Sequence, residues 1–324
     1  MSYTPPFSIT SKAINLISEI SEKIGIITAL SDNPLHLELR KKNRIKTIHS
    51  SLAIENNSLS IEQITAIIEE KRVLGAPNEI QEVKNAIQAY ELLLELNPYE
   101  EKDLLKAHRL MMTDLVNRNG KYRKDGVGIF DGKDVVHLAP PADKVPFLMA
   151  DLFEWLKDSD VHPLIKSCVF HYEFEFIHPF QDGNGRMGRL WQTVILKEWK
   201  SIFAWLSVET IIKERQSEYY AALNSSDSTA DSTAFIEFML TAILDEINKN
   251  INQKVTAKVP AKVTVNQKKI IAELEKNPYI TQKELSEIVG ISLKSIKENM
   301  KKMQENGVIR RTGADKNGFW EIIK

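Results

Sequence analysis

Isoleucines recur at three- and four-residue spacing near the start of the chain, at Ile14, Ile17, Ile20, Ile24 and Ile27. That repeat predicts one apolar face on an amphipathic helix. A second helix is expected over 43–55, with Ile45, Ile48 and Leu52 on one side and Asn56 and Asn57 ending it. Ser60 with Gln63 forms a capping box that opens a third. Helical periodicity continues over 80–96 and 99–116. Between 126 and 138 the period changes. Val127 and Ile129 alternate, Asp131-Gly132 signals a turn, and Val135, Val136 and Leu138 follow. A β-hairpin is therefore expected in an otherwise helical chain, closed by Pro140-Pro141. Helices resume over 146–155, 163–176 and about 186–199. The Ser-, Thr- and Asp-rich stretch 224–232 predicts a loop before a helix over 234–247.

The texture changes again over 250–265, which lacks aromatics and carries a near-repeat of Lys-Val units at Lys254, Lys258 and Lys262. It reads as an extended linker. After it, a helix is expected over 266–275. Thr281 with Glu284 caps a second helix that stops at Gly290, and Ser292 caps a third that runs to about Asn306. Strands over 308–311 and 319–323 flank a Gly-containing turn. Helix, helix, helix, hairpin is the order of a winged helix-turn-helix. The expected division is a helical region over 1–100, a core over 101–249, the linker 250–265 and a winged-helix-like domain over 266–324.

Length and charge narrow this picture. A chain of 324 residues has room for two or three domains. With 43 Lys and Arg against 44 Asp and Glu, the net charge of −1 gives no global attraction to nucleic acid or membrane. Any such surface must be local. No apolar run is long enough to span a bilayer, and the first residues lack a leader pattern, so a cytoplasmic protein with no membrane partner is expected. The single cysteine, Cys168, lies in an apolar stretch and reads as a buried hydrophobe rather than a nucleophile. His108, His137 and His171 lack metal-ligand spacing, and Trp191, Trp199 and Trp205 read as packing residues.

The chemistry concentrates in His178-Pro179-Phe180-Gln181-Asp182-Gly183-Asn184-Gly185-Arg186-Met187-Gly188-Arg189. An apolar helix delivers the chain to His178, two glycines flank Asn184, and a helix begins at once. Glycines permit a tight turn and close approach of a ligand to backbone, and the helix N-terminus is an anion site. Arg186 and Arg189 are three apart and share a helix face. Two guanidiniums, free N–H donors and the carboxylate of Asp182 suit a polyphosphate with Mg2+, which binds hard oxygens jointly with phosphates. An imidazole titrating at about 6.5 suits a general base.

This segment resembles the signature of the Fic family, His-Pro-Phe-x-Asp/Glu-Gly-Asn-Gly-Arg-x-x-Arg, with every specified position filled. The resemblance extends to the hairpin, which looks like the family's flap, and covers roughly residues 1–247. It implies a mostly α fold: a Fic-type helical core with a small β-hairpin flap, plus the C-terminal winged helix-turn-helix-like domain. It also implies protein adenylyl transfer. His178 would deprotonate a Ser, Thr or Tyr hydroxyl of a target protein, or of the chain itself. That oxygen would attack the α-phosphate of ATP. Asp182 would hold Mg2+, and Gly183, Asn184, Gly185, Arg186, Met187, Gly188 and Arg189 would form the nucleotide-binding stretch. The hairpin would align the target along its edge. Relatives that move UMP, phosphocholine or phosphate leave the transferred group open. Tyr219 and Tyr220 either flank the base or pack in the core.

Upstream, Ser51 to Asn56 resembles the family's inhibitory motif, Ser/Thr-x-x-x-Glu-Gly/Asn. Ser51, Glu55 and Asn56 are its fixed positions, with Ser51 and Glu55 on one helix face. The resemblance implies that Glu55 pairs with Arg189 and blocks placement of the γ-phosphate; the other reading is a surface ion pair at a helix end. Whether Glu55 also assists removal of AMP stays open. In the C-terminal unit, Lys294, Lys297, Lys301, Lys302, Arg310 and Arg311 fit DNA phosphate contacts, while Glu298 and Glu305 on the same helix fit protein interaction equally well. The rival function is therefore a nucleotide-sensing, DNA-binding transcriptional regulator. A homodimer is compatible with the sequence and not specified by it.

Overall fold

The computed structural model describes residues 3–29, 35–126, 128–131, 134–257, 264–305, 308–312 and 318–322. The chain divides into two compact units, Met1–Asn248 and Lys249–Lys324. In the first, helices α1 (Ser11–Ala29), α2 (Leu35–Ile54), α3 (Ile61–Ile68), α4 (Pro77–Leu92) and α5 (Glu101–Met111) precede a hairpin of β1 (Gly128–Asp131) and β2 (Asp134–Leu138). Then come α6 (Val145–Asp158), α7 (Pro163–Ile177), α8 (Asn184–Trp199), a 3-10 turn (Ser201–Trp205), α9 (Val208–Glu214), α10 (Gln216–Thr229) and α11 (Thr233–Ala257).

The core forms around α7. Its residues are apolar on nearly every side, which marks a helix enclosed by neighbours rather than lying on a surface. It packs along α8 and against α6, while α2 packs on α9 and α4. Cys168 is fully buried, and burial pushes its thiol up to about 12, so it is an inert hydrophobe. The Ser60–Gln63 capping box is formed and opens α3. The hairpin strands pair antiparallel with a register shift at Ile129/Phe130. The side chains of β1 and β2, His137 among them, lie outside the described residues.

Three expectations need correction. On α1 the buried stripe is Ala13, Ile20, Ile24 and Ile27, whereas Ile14 is exposed. Ile20 is six steps along the helix from Ile14, which at 100° per residue puts them roughly 120° apart around it. The stretch 224–232 is not a loop; α10 runs to Thr229 and ends at Ala230, whose φ of 50° is left-handed. Its hydroxyls bond within the helix, Ser228 Oγ and Thr229 Oγ1 both donating to the Ser225 carbonyl at 2.8 and 3.0 Å. Asp227 accepts from Tyr172 at 2.9 Å, so these polar residues anchor α10 to α7. Finally, α11 continues to Ala257, so the first part of the stretch read as extended linker is helical.

The second unit contains α12 (Val265–Lys276), α13 (Gln282–Val289), α14 (Leu293–Glu305) and the antiparallel pair β3 (Ile309–Thr312) and β4 (Phe319–Ile322). Capping boxes at Thr264/Gln267 and Thr281/Glu284 start α12 and α13, and Gly290 ends α13 at φ 76°. Ile270, Leu274, Leu285, Ile296, Met300 and Trp320 form a core of its own. Among the described residues, no helix is long and apolar enough to cross a membrane.

Candidate active site

The signature segment is the turn from α7 into α8, and its shape follows from a few strong contacts. At the end of α7, the His178 N–H still bonds to the Phe174 carbonyl at 3.0 Å, but the residue itself turns left-handed at φ 50°, ψ 60°. That conformation is costly for a residue with a Cβ and persists where surroundings enforce it. Pro179 cannot continue the helix. Phe180 is fully buried and stacks on His108, with ring centroids 3.6 Å apart.

Asn184 then closes the turn. Its Oδ1 accepts from the Phe180 N–H and its Nδ2 donates to the Phe180 carbonyl, both at 2.9 Å. Its side chain therefore clamps the loop. Gly183 stands at φ 84°, where an added Cβ would meet Met112 Sδ at 2.6 Å. At Gly185 an added Cβ would run into the Glu55 carboxylate and lie 3.0 Å from Arg189 NH1. Glycine at 183 thus meets a backbone requirement, and glycine at 185 leaves the room that the Glu55 carboxylate occupies. Met187 is buried in the core, and Gly188 packs against Glu175 and His171 of α7.

The charged groups meet at the start of α8. Asp182 is mostly exposed, and its Oδ1 accepts from the Gly183 N–H at 2.6 Å and from Arg186 at 3.3 Å. Arg186, 4% exposed, also donates to Glu82 Oε1 at 3.3 Å, and its buried Nε has no hydrogen-bond partner among the described residues. Arg189, 3% exposed, donates to Glu55 Oε1 at 2.7 Å, to the Ser51 carbonyl at 3.0 Å and to Ser51 Oγ at 3.3 Å. Burial opposes its charge, yet the Glu55 carboxylate holds its pKa above the ordinary value. Asn56 ends α2 in the left-handed region at φ 67°. The paired reading of Glu55 and Arg189 describes what is found, and the carboxylate lies over Gly185 at the helix N-terminus, where an anion is favoured.

His178 Nδ1 lies 3.3 Å from the Glu175 carbonyl. In the tautomer protonated there, Nδ1–H donates to that carbonyl and Nε2 carries the lone pair. Among the described residues no group of three or more His, Cys, Asp or Glu side chains could hold a metal by itself. A single exposed carboxylate suits a cation that arrives with phosphates, since Mg2+ commonly takes one or two carboxylates and draws its remaining ligands from phosphate and water.

Several residues that shape the site escaped sequence reasoning. His108 receives the Gly120 N–H on Nδ1 at 2.8 Å, which fixes the proton on Nε2, and Nε2–H donates to the Asp182 carbonyl at 3.0 Å. Burial, with the nearby Arg186 cation, lowers its pKa to about 4, so it works as a neutral strut. Glu82 accepts from Asn57 at 2.7 Å on its other oxygen and so ties the end of the α2 segment to Arg186. The buried Tyr90 hydroxyl donates to Glu209 Oε1 at 3.0 Å. Burial lifts the Glu209 carboxyl to about 7. A lone His or Glu in a helical pattern carries no local signal for any of these contacts. Tyr219 is a core residue packed on His171 and Phe235, and Tyr220 is partly exposed.

Comparison with known proteins agrees with this geometry. Residues 98–196 match the Fic/DOC family, and residues 264–310 match a winged helix-turn-helix DNA-binding family. A probable protein adenylyltransferase of Aquifex aeolicus is 34% identical over 155 residues, 46% of each chain. A protein adenylyltransferase Fic of Drosophila mojavensis is 26% identical over 216 residues, 63% of this chain and 41% of the relative. The chain thus spans less than half the length of these curated relatives. The crystal structure of a Fic family protein from Desulfovibrio desulfuricans G20 is 46% identical, has a TM-score of 0.77, and is matched over 99% of this chain and 98% of that one. With the signature turn, the helical core and a near full-length structural match all in agreement, the chain belongs to the Fic family.

Proposed function

We propose that this chain is a protein adenylyltransferase held inactive by Glu55. One observation carries the reading: the Glu55 carboxylate is paired with Arg189 at 2.7 Å and lies against Gly185, on the N-terminus of α8. A helix N-terminus bearing two buried arginines is built for anions, and here a side-chain carboxylate takes that position. Withdrawing it frees a guanidinium and N–H donors for the outer phosphates of ATP.

The chemistry follows from the neighbours. His178 takes the proton of a Ser, Thr or Tyr hydroxyl on the target. The hydroxyl oxygen forms a bond to the α-phosphorus, the bond from that phosphorus to the bridging oxygen breaks, and pyrophosphate leaves. Arg186 and Arg189 offset charge on the leaving group, and the N–H groups of α8 orient the phosphates. Asp182 would hold Mg2+, which when bound neutralises phosphate charge. The names of the Aquifex and Drosophila relatives support AMP as the transferred group.

The test is incubation of the full chain with labelled ATP and Mg2+. Wild type should label weakly, Glu55→Gly should label itself or an added protein at least tenfold faster, and His178→Ala in that background should lose the gain. A silent Glu55→Gly protein would remove the reading.

A second reading concerns residues 264–310. On α14 the residues Ile296, Met300 and Met303 face inward, leaving Lys294, Lys297, Lys301 and Lys302 exposed together. That favours phosphate contacts by the winged unit. Full-length protein that retards duplex DNA in a salt-dependent way, lost on neutralising Lys297 and Lys301, would bear it out. Absence of any salt-sensitive retardation would leave the unit as a protein-interaction module.

A further inference from the structure

The hairpin and the signature turn come from different parts of the chain, and one side chain joins them. Arg123 precedes β1 and is buried. Its Nε–H donates to the His178 carbonyl at 2.7 Å, and NH2 donates to the Ile177 carbonyl at 3.2 Å. The same NH2 donates to the Pro140 carbonyl, two residues past β2, at 2.5 Å. NH1 donates to the Asp125 carbonyl, three residues ahead of β1, at 3.0 Å. The Arg123 backbone N–H reaches the Pro179 carbonyl at 2.9 Å. One planar guanidinium therefore holds both feet of the hairpin and the last two residues before the Pro179-Phe180 turn.

All four side-chain contacts go to backbone carbonyls, so the group satisfies backbone rather than pairing with a carboxylate. Burial costs the cation its water and lowers its pKa, and the carbonyl dipoles offset that loss. Only arginine has five donors in a fixed fork; lysine presents three from a single point and cannot span the same carbonyls. The anchored residue is also the strained one, His178 at φ 50°. A left-handed conformation needs such outside support.

We propose that Arg123 is a positioning residue for adenylyl transfer, fixing the backbone of His178 against the feet of the hairpin along which the acceptor segment lies. This rests on the reading of His178 as base and of the hairpin as acceptor guide. The base sits on one side of the link and the acceptor on the other, so their separation is set through Arg123. Displacement by about 1 Å costs on the order of 100-fold in rate. Water as acceptor needs no hairpin, so hydrolysis of ATP to AMP depends on the link less.

The experiment compares Arg123→Lys with its parent, both in the Glu55→Gly chain. Expected, at a temperature where both proteins are folded, are Mg-ATP affinity close to the parent's, self-labelling slower by about 100-fold and ATP hydrolysis slowed by about tenfold at most, with a lowered melting temperature because buried carbonyls lose their donors. Labelling at the parental rate would overturn the proposal. So would labelling, hydrolysis and nucleotide affinity that all fall by the same factor at that temperature, since that marks a merely structural arginine. Amide exchange in the same pair of proteins reads the link without turnover. Faster exchange in peptides covering both 134–141 and 177–184 is expected, and parental protection in either overturns the link even if no labelling occurs. A Glu55→Gly parent that labels nothing sinks the transfer reading instead.

Discussion

In the larger unit, Arg186 and Arg189 lie inside the protein, and each meets a carboxylate far off in the chain, 104 and 134 positions away. Among the described residues of the C-terminal unit no cation is buried. Lys301 faces Glu305 one turn away at 3.8 Å, Arg310 pairs with Glu321 on the adjacent strand at 2.7 Å, and Arg311 lies over the Trp320 ring at 4.9 Å. The same residue types do different work in the two places. A buried cation must be matched by a partner whose loss is costly, so the pairing can serve as a switch. A surface cation is screened by water and salt, so its pairing constrains little and it remains available to an outside anion.

That contrast can be pressed hardest at Glu209, a buried carboxyl that accepts from the buried Tyr90 hydroxyl. Its folded pKa, raised to about 7, exceeds the ordinary unfolded value. The native state therefore binds the extra proton, and stability falls as pH rises from about 4.5 to 7, levelling above that. Glu209→Gln should remove that decline and stabilise the protein at pH 7.5 relative to wild type by about 3 kcal/mol. Chemical denaturation of both proteins between pH 5 and 8 isolates this group. The slopes from His108 and His171, held neutral by burial at about 4 and about 3, run the opposite way and cancel in the difference. A difference between the two proteins that stays constant across that range contradicts the assignment.

Breaking the Arg186 pair comes next in size. Glu82→Ala leaves a buried guanidinium short of a partner and also strands Asn57, so a loss of about 2 kcal/mol is expected in urea unfolding. The smallest effect belongs to the surface pair. Arg310→Ala should change stability by less than about 0.5 kcal/mol, and the change should shrink further in high salt. If Arg310→Ala proved as costly as Glu82→Ala, the distinction between the two regions would fail.

The same contrast explains what could be read from the sequence. Capping boxes at Ser60 and Thr281, the Gly290 stop and the alternation that marks the paired strands are local rules, and the corresponding elements formed where expected, while Gly132 of the turn signal lies outside the described residues. The signature residues were legible because their spacing is fixed within one turn, and Glu55 because it resembles a known motif. Glu82, His108, Tyr90 and Arg123 were not, since their partners lie in other helices and leave no periodic trace. Ile14 was misassigned because three- and four-residue steps accumulate drift around a helix. The 224–232 stretch was misread because Ser, Thr and Asp signal turns locally, while here they serve contacts to α7 and α11, including Ser226 Oγ accepting from the Phe235 N–H at 3.2 Å.

The central claim is that the Glu55 carboxylate and the outer phosphates of ATP compete for one seat at the start of α8. A crystal structure of the Glu55→Gly chain with Mg2+ and a non-hydrolysable ATP analogue tests it directly. Expected is the Arg189 guanidinium on the γ-phosphate, with the phosphates against the N–H groups that follow Gly183. A nucleotide bound elsewhere, or bound in that seat in wild type with the Glu55–Arg189 pair intact, would contradict it.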